Sequence, residues 1–249
     1  MLNYIEAELY RNLNRTYLWG YIALISVFAL AMNVLIKIFS IANSGYGLYT
    51  MFSLTTNVLL VPIFLILPIL DMSLAEEQKN QTMKNTVAFG LSRNKFVLSK
   101  YIVSIILSFI FGVIMLGVFY GSGAILFGLG AGSSAMISDA LLKLLISLPL
   151  WIGAISIGIF LSLAISNNTV FSFVYTGIFL VVSLIIKILY KFVSNDLINV
   201  YNILISTQLK SFAGKLTSHS ITLAVVSGII YTLVFMMLSL IYFNRKEIK

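Results

Sequence analysis

The chain has 249 residues, of which 60% are apolar and only 10% charged, whereas roughly a quarter of the residues in a soluble domain are charged. It has no cysteine and a single histidine, which excludes disulfides, thiolate metal sites and sites that need two histidines. The 16 Lys and Arg residues outnumber the 8 Asp and Glu residues, giving a net charge of +8. Several apolar runs reach the roughly 20 residues that cross a bilayer as a helix, so the composition predicts an all-α integral membrane protein.

Residues 2–15 come first in chain order and have an amphipathic pattern. Leu2, Ile5, Leu9 and Leu13 recur at helical spacing, with polar side chains on the other faces. This pattern predicts a short helix that lies in the membrane interface. The alternative is a solvated N-terminus.

Six longer apolar runs follow, and each is predicted to be a transmembrane helix. Only four polar residues separate the fourth run from the fifth, which predicts a tight antiparallel hairpin. In the second run, Pro62 and Pro68 are expected to kink or end the helix. The runs cover about residues 17–41, 49–70, 96–127, 139–165, 170–189 and 221–243 of a single transmembrane domain, 1–249.

The distribution of basic residues predicts the orientation, because short loops rich in Lys and Arg stay in the cytoplasm. With the N-terminus inside, ten basic residues fall on the inner side and six on the outer side. The two short outer loops, near residues 42–48 and 128–138, contain no Lys or Arg. Both termini are therefore predicted to be cytoplasmic.

Few polar side chains lie within the predicted spans. Asn33 is in the first run, and Ser53, Thr56 and Asn57 cluster in the second. Lipid cannot satisfy hydrogen-bonding groups, so such residues face other helices or a wet cavity. These four are expected either to bond neighbouring helices together or to line a translocation pathway.

The sequence contains no recognisable catalytic constellation. It has no Gly-x-x-x-x-Gly-Lys-Ser/Thr phosphate loop, so the chain is not predicted to hydrolyse ATP by that route. None of the eight acidic residues lies near the middle of a predicted span, where ion-coupled transporters usually need one. We therefore expect no enzymatic activity, no metal and no cofactor in this chain.

The longest polar stretch is the loop over residues 71–95, between the second and third runs. Met83, Val87 and Leu91 recur in it at near-helical spacing. Two glutamates stand near the start of that pattern, where negative charge favours a helix N-terminus. The loop is therefore predicted to contain a helix that runs across the inner face of the membrane.

This loop resembles the coupling segment in the permease subunits of type-two ABC exporters. The matching positions are Glu77, Thr82 and Lys84 at its start and Ser92, Arg93 and Lys100 at its end. The Gly-Leu-Ser-Arg sequence and the small size look like the branch associated with bacteriocin immunity and peptide export. In span number and N-terminal helix, the resemblance extends over the whole chain.

The resemblance implies a function in transport. Two six-span permease subunits, identical or different, form a pathway between them, and separate ATPase subunits, which hold ATP and Mg, drive alternating access. The loop is then a coupling helix that docks on an ATPase. The residues assigned to this contact are Glu76, Glu77, Thr82, Met83, Lys84, Phe89 and Arg93.

The small number of charges within the spans favours an amphipathic or apolar cargo, such as an antimicrobial peptide. The expected partners are the ATPase, a second permease subunit and the lipid bilayer, with no nucleic acid. Two other functions stay open. One is the substrate-binding membrane module of a vitamin-uptake system, and the other is a regulatory membrane protein that transports nothing.

The outer segment, residues 190–220, is too long for a simple connection and too apolar for a solvated one. Leu197, Tyr201, Leu204 and Ile205 lie near one face at helical spacing, which predicts a short amphipathic helix at the outer surface. The family resemblance implies re-entrant helices here that form an outer gate. An external lid that only shields the bundle is the alternative.

The predicted orientation can be tested by thiol labelling, because the chain has no native cysteine. In intact cells, Lys84→Cys and Lys249→Cys should be shielded from a membrane-impermeant thiol reagent. Ser44→Cys and Ser133→Cys should react. Labelling at position 84 from outside would overturn the orientation.

Overall fold

The computed structural model describes residues 1–39, 46–75, 91–130 and 132–246, and within these ranges all regular structure is helical. The helices are α1 (Leu2–Leu13), α2 (Thr16–Ile38), α3 (Leu48–Thr55), α4 (Val61–Leu65), α5 (Leu67–Leu70), α6 (Arg93–Phe127), α7 (Ser134–Ala164), α8 (Asn168–Gly177), α9 (Ser183–Phe192), α10 (Ile198–Ile203), α11 (Ile205–Ser211) and α12 (Ser218–Arg245). Single π-helical turns cover Asp71–Ala75 and Ile178–Val182, and a 3₁₀ turn covers Asn195–Leu197.

Five helical stretches among the described residues are long and apolar enough to cross a membrane. They are α2, α6, α7, the continuous stretch Asn168–Phe192 and α12. The π-helical turn between α8 and α9 does not interrupt that stretch. Together these helices indicate a membrane-embedded, all-helical protein.

Over the second predicted span, residues 49–70, the structure has three short helices in place of one continuous helix. α3 ends at Thr55, and helical structure resumes only at Val61. Pro62 explains the gap, because it offers no N–H to the carbonyl of Val58 and its ring would clash with that carbonyl in a helix. The run is therefore an interrupted segment, made of α3, α4, α5 and the π-helical turn that follows.

Neighbouring helices bond to backbone carbonyls that these interruptions set free. The carbonyl of Leu59 accepts the indole N–H of Trp151 in α7 at 3.0 Å, and the carbonyl of Leu65 accepts the hydroxyl of Tyr21 in α2 at 2.7 Å. In a regular α-helix, each of these two carbonyls would accept the backbone amide four residues later. Those amides instead donate to the carbonyl only three residues before them. The interrupted segment is thus fixed between α2 and α7 by the groups it would otherwise leave unpaired.

The main hydrophobic core lies where α7, α8 and α12 meet the interrupted segment. Its fully buried members include Leu150, Leu163, Phe171 and Tyr175. A second apolar cluster joins α1 and α2 to α6 through Ile5, Leu18, Ile22, Val103 and Phe111. α1 is therefore part of the packed structure.

Small residues allow α7 and α12 to pack closely. A Cβ atom at Gly228 of α12 would lie 2.6 Å from the backbone carbonyl carbon of Pro149 in α7, closer than a real contact permits. A Cβ atom at Gly153 would lie 3.1 Å from the Cβ atom of Tyr231. Because the obstruction at Gly228 is backbone, a larger side chain there forces the helices apart.

Gly228→Ala should lower the stability of the folded protein in detergent by about 1–3 kcal/mol, the usual cost of overpacking. Gly117→Ala in α6 is the matched control, since no atom lies within 4 Å of a Cβ at that position. Alanine's better helix propensity should make the control neutral or up to about 1 kcal/mol more stable. Thermal unfolding followed by circular dichroism measures both. Equal effects of the two substitutions would contradict close packing at Gly228.

Candidate functional site

The candidate site is the end of the bundle where residues 76–90 join it, which we call the loop end. Of the seven predicted coupling residues, Arg93 lies within the described part of the chain. The other six lie outside the described residues: Glu76, Glu77, Thr82, Met83, Lys84 and Phe89. The residues on either side of this loop, which end at 75 and resume at 91, are described and show which helices the loop connects to.

Arg93 joins the first turn of α6 to the last turn of α12. Its Nη1 donates to the carbonyls of Phe243, Asn244 and Lys246 at 3.0, 2.8 and 2.9 Å. The Asn244 side chain also donates to that of Asn94 at 2.7 Å. Carbonyls at a helix C-terminus lack internal donors, and the helix dipole favours a cation there. The structure places the Arg93 guanidinium on α12, while contact with an ATPase stays a prediction.

Lys246 extends this contact to α7. Its Nζ donates at 2.6 Å to the carbonyl of Leu163 in the last turn of α7 and lies 5.5 Å from the ring centre of Tyr242. Burial lowers the pKa of Lys246 below its ordinary value, because the charged form loses hydration. Arg93 and Lys246 together hold the ends of α6, α7 and α12 in fixed positions.

A buried ion pair joins α1 to α6. The Nζ atom of Lys100, whose side chain is 0% exposed, lies 2.5 Å from Oε2 of Glu8. The same oxygen accepts a hydrogen bond from Arg11 at 2.7 Å. The rings of Tyr4 and Phe96 flank the ammonium, with their centres 5.9 and 5.5 Å away. Each buried charge alone would cost several kcal/mol, so the pair holds α1 in one position against α6.

Polar contacts continue along the same face of α6. One turn after Lys100, the hydroxyl of Ser104 lies 2.9 Å from that of Ser73, in the π-helical turn that leads into residues 76–90. Both flanks of the loop are therefore held on α6. Asn12 of α1 is also fully buried, and within the described part of the chain neither of its amide atoms has a hydrogen-bond partner. A buried water is the usual way to satisfy such a group.

The four predicted pathway residues do not form one wall. Asn33 is fully buried and donates to the carbonyl of Phe119 and the hydroxyl of Ser122, at 3.0 and 2.8 Å, so it bonds α2 to α6. The other three lie at the end of α3 and the interruption after it: Ser53, Thr56 and Asn57. Of these, the serine and the asparagine are exposed and the threonine is buried.

The outer segment forms two short helices, α10 and α11, where one was predicted. Leu204 between them has an extended backbone, with φ −61° and ψ 132°. The Gln208 side chain donates to the carbonyl of Ile203 at 2.8 Å and to the hydroxyl of Ser227 in α12 at 2.9 Å, which holds α11 in the bundle. Among the predicted gate residues, Ile205 is buried, and three are partly exposed: Leu197, Tyr201 and Leu204.

Sequence reasoning missed the pairing of Glu8 with Lys100 and the bridging role of Gln208. A signal for the first pair was present, because Lys100 lies inside an apolar run, where an ionisable residue needs a partner. Choosing Glu8 over Glu6 as that partner required the position of α1. Gln208 carried no comparable signal, since its partners belong to two different helices.

The Glu8–Lys100 pair predicts a large effect of removing one charge. Glu8→Leu takes the carboxylate from a fully desolvated ammonium and should destabilise the protein by about 3–5 kcal/mol. Glu8→Leu combined with Lys100→Met should recover part of that loss, because no lone buried charge remains. Glu6→Leu is the control, since Glu6 is exposed on the same helix. Thermal unfolding of the parent, these three variants and Lys100→Met alone measures the coupling, and additive effects of the two single substitutions would contradict it.

The sequence was compared with known proteins. No curated protein matches it. Residues 42–249, which include every element from α3 to α12, match a family described as "Protein of unknown function (DUF2705)". Because the match covers more than half of the chain, this membrane-embedded, all-helical protein belongs to the DUF2705 family.

Proposed function

We propose that the chain is the permease subunit of an ATP-driven exporter of the type-two ABC class. In this proposal, residues 76–90 dock on a separate ATPase, and a second permease subunit completes the pathway. The chain itself hydrolyses nothing, in keeping with its lack of a phosphate-loop motif. The complex lies in a bacterial cell membrane with both termini in the cytoplasm.

The observation that carries the proposal is the way both flanks of residues 76–90 are attached. Ser73 before the loop bonds to Ser104 of α6, and Lys100 after it pairs with Glu8 of α1. Arg93 holds the end of α12. A partner that moves this loop therefore acts directly on α1, α6 and α12, as coupling requires.

The path of the interrupted segment supports six crossings. At its start, the amide of Leu48 donates to the carbonyl of Gly128, at the far end of α6 from the loop. At its finish, Ser73 contacts Ser104, much nearer the loop end of the same helix. With the five long helices, this path would return both chain ends to the same side.

ATP binding must favour one state of the permease over another. Shifting the populations of two states from 1:99 to 99:1 needs a difference in binding free energy between them of about 5.5 kcal/mol. If the loop were not attached to the helices, this binding free energy would not reach them. The hydrogen bonds and the ion pair at the loop end provide contacts that can transmit it to the helices.

The proposed cargo is amphipathic or apolar, such as an antimicrobial peptide, and the role in the cell is export or immunity. Ser53 and Asn57 remain pathway candidates because they are exposed beside the interruption, whereas Asn33 is assigned to helix contacts. Leu204 and Ile205, at the junction between α10 and α11, remain candidates for the outer gate. The break in the backbone at Leu204 is consistent with that assignment.

Affinity purification of the tagged chain from native membranes tests the proposal. An ATPase with a phosphate loop should co-purify, and Met83→Ala combined with Phe89→Ala should reduce its recovery and its stimulation by cargo. Both changes remove apolar contact area from the predicted docking helix.

Ile125→Ala combined with Leu129→Ala is the control, because these exposed apolar residues lie at the opposite end of α6. The control should retain the ATPase. Equal recovery with both variants would contradict coupling through this loop. A bound small vitamin in place of an ATPase would instead identify an uptake module.

A further inference from the structure

An open hollow of about 350 Å³ lies beside the ends of α7 and α12, at the loop end. One wall comes from α7 and the other from the end of α12. At 100° per residue, the five lining residues of α12 fall within less than half of the helix circumference, so they form one face. The hollow, which we call the α7–α12 groove, is lined by Phe160, Leu238, Ile241, Tyr242, Arg245 and Lys246.

The lining of the groove changes from charged to apolar along α12. This helix has 28 residues, about 42 Å at 1.5 Å per residue, which exceeds a hydrocarbon core of about 30 Å. Arg245 ends the helix and Lys246 follows it, so both lie at the level of the lipid headgroups. Leu238 lies about 10 Å further along the helix, within the hydrocarbon.

The charged end of the groove can accept an anion. Arg245 is exposed and makes no hydrogen bond or ion pair within the described part of the chain. Burial lowers the pKa of Lys246, and a nearby anion would compensate its ammonium for the lost hydration. Among the described residues, no carboxylate lines the groove.

The carbonyls at the ends of α7 and α12 would ordinarily repel an anion, because a helix C-terminus is partially negative. Here they are bonded to cations. Arg93 binds the carbonyls of Phe243, Asn244 and Lys246, and the Lys246 ammonium binds that of Leu163. The groove therefore presents net positive charge.

The apolar end of the groove suits a hydrocarbon chain. The rings of Phe160 and Tyr242 lie edge to face, with their centres 6.2 Å apart, and form a wall between the two helices. Leu238 and Ile241 are 40% and 52% exposed beside it. A soluble anion would leave these apolar groups unused, and the positive group of a zwitterionic lipid would meet cations only.

We propose that the α7–α12 groove binds one anionic phospholipid. Its phosphate lies on Arg245 and Lys246, and one acyl chain follows Leu238 and Ile241 along α12. A guanidinium can hold two phosphate oxygens at once, and basic pockets between membrane helices bind anionic headgroups in this way. The site does not depend on the proposed export function.

Native mass spectrometry of the full chain, purified in detergent and incubated with phosphatidylglycerol or phosphatidylcholine of the same acyl chains, tests the proposal. The parent should retain one phosphatidylglycerol per chain and several-fold less phosphatidylcholine. Arg245→Gln should weaken phosphatidylglycerol retention several-fold. Equal retention of the two lipids by the parent, or no retained lipid, would overturn the proposal.

Lys95→Gln is the matched control, because it removes one exposed positive charge from the first turn of α6 at the same end of the bundle. Lys95, like Arg245, has no side-chain partner within the described part of the chain. The control should retain phosphatidylglycerol as the parent does. Equal losses in the two variants would show a general attraction to a basic surface and would overturn the site.

A second pair of variants tests the acyl-chain end of the groove. Ile241→Trp should fill the groove and lower phosphatidylglycerol retention several-fold. Ile229→Trp should not, since Ile229 is 50% exposed on the same helix but lies about 18 Å away along it. Retention unchanged by Ile241→Trp, or displacement of the lipid by an equal concentration of inorganic phosphate, would overturn the proposal, because the acyl chain would then contribute nothing.

Discussion

The constraint on which this structure depends is that polar groups in apolar surroundings must find partners within the protein. The interrupted segment shows this most directly. Pro62 breaks the helix, and the carbonyls of Leu59 and Leu65 are then bonded by Trp151 and Tyr21 from helices on either side. In water, such carbonyls would be hydrated and the segment could move. Here the same groups fix it between α2 and α7.

At the loop end, the same constraint acts on charged side chains. Lys100 is fully desolvated and is held by Glu8, so α1 cannot leave α6 without exposing or stranding a charge. Arg93 and Lys246 bond to carbonyls at the ends of α12 and α7. These contacts join the helix ends around the loop to one another. A partner bound to the loop would therefore act on several helices together.

The constraint is also met between α11 and α12, where the Gln208 side chain donates a hydrogen bond to Ser227. It is left open at Ser108 of α6 and Thr207 of α11, because their buried hydroxyls have no partner within the described part of the chain.

The sequence by itself determined the helices and helix breaks that depend only on residues close together in the chain. Apolar length specified the long helices, helical spacing specified α1, and Pro62 marked where a helix must break. Tertiary structure alone decided contacts between distant parts of the chain. Arg93 bonds to carbonyls some 150 residues away, Asn33 bonds to α6, and Leu204 divides a helix that its apolar pattern would continue. Periodicity reports which face of a helix is apolar, but the partner that a buried polar group finds depends on which helices meet, and that depends on packing.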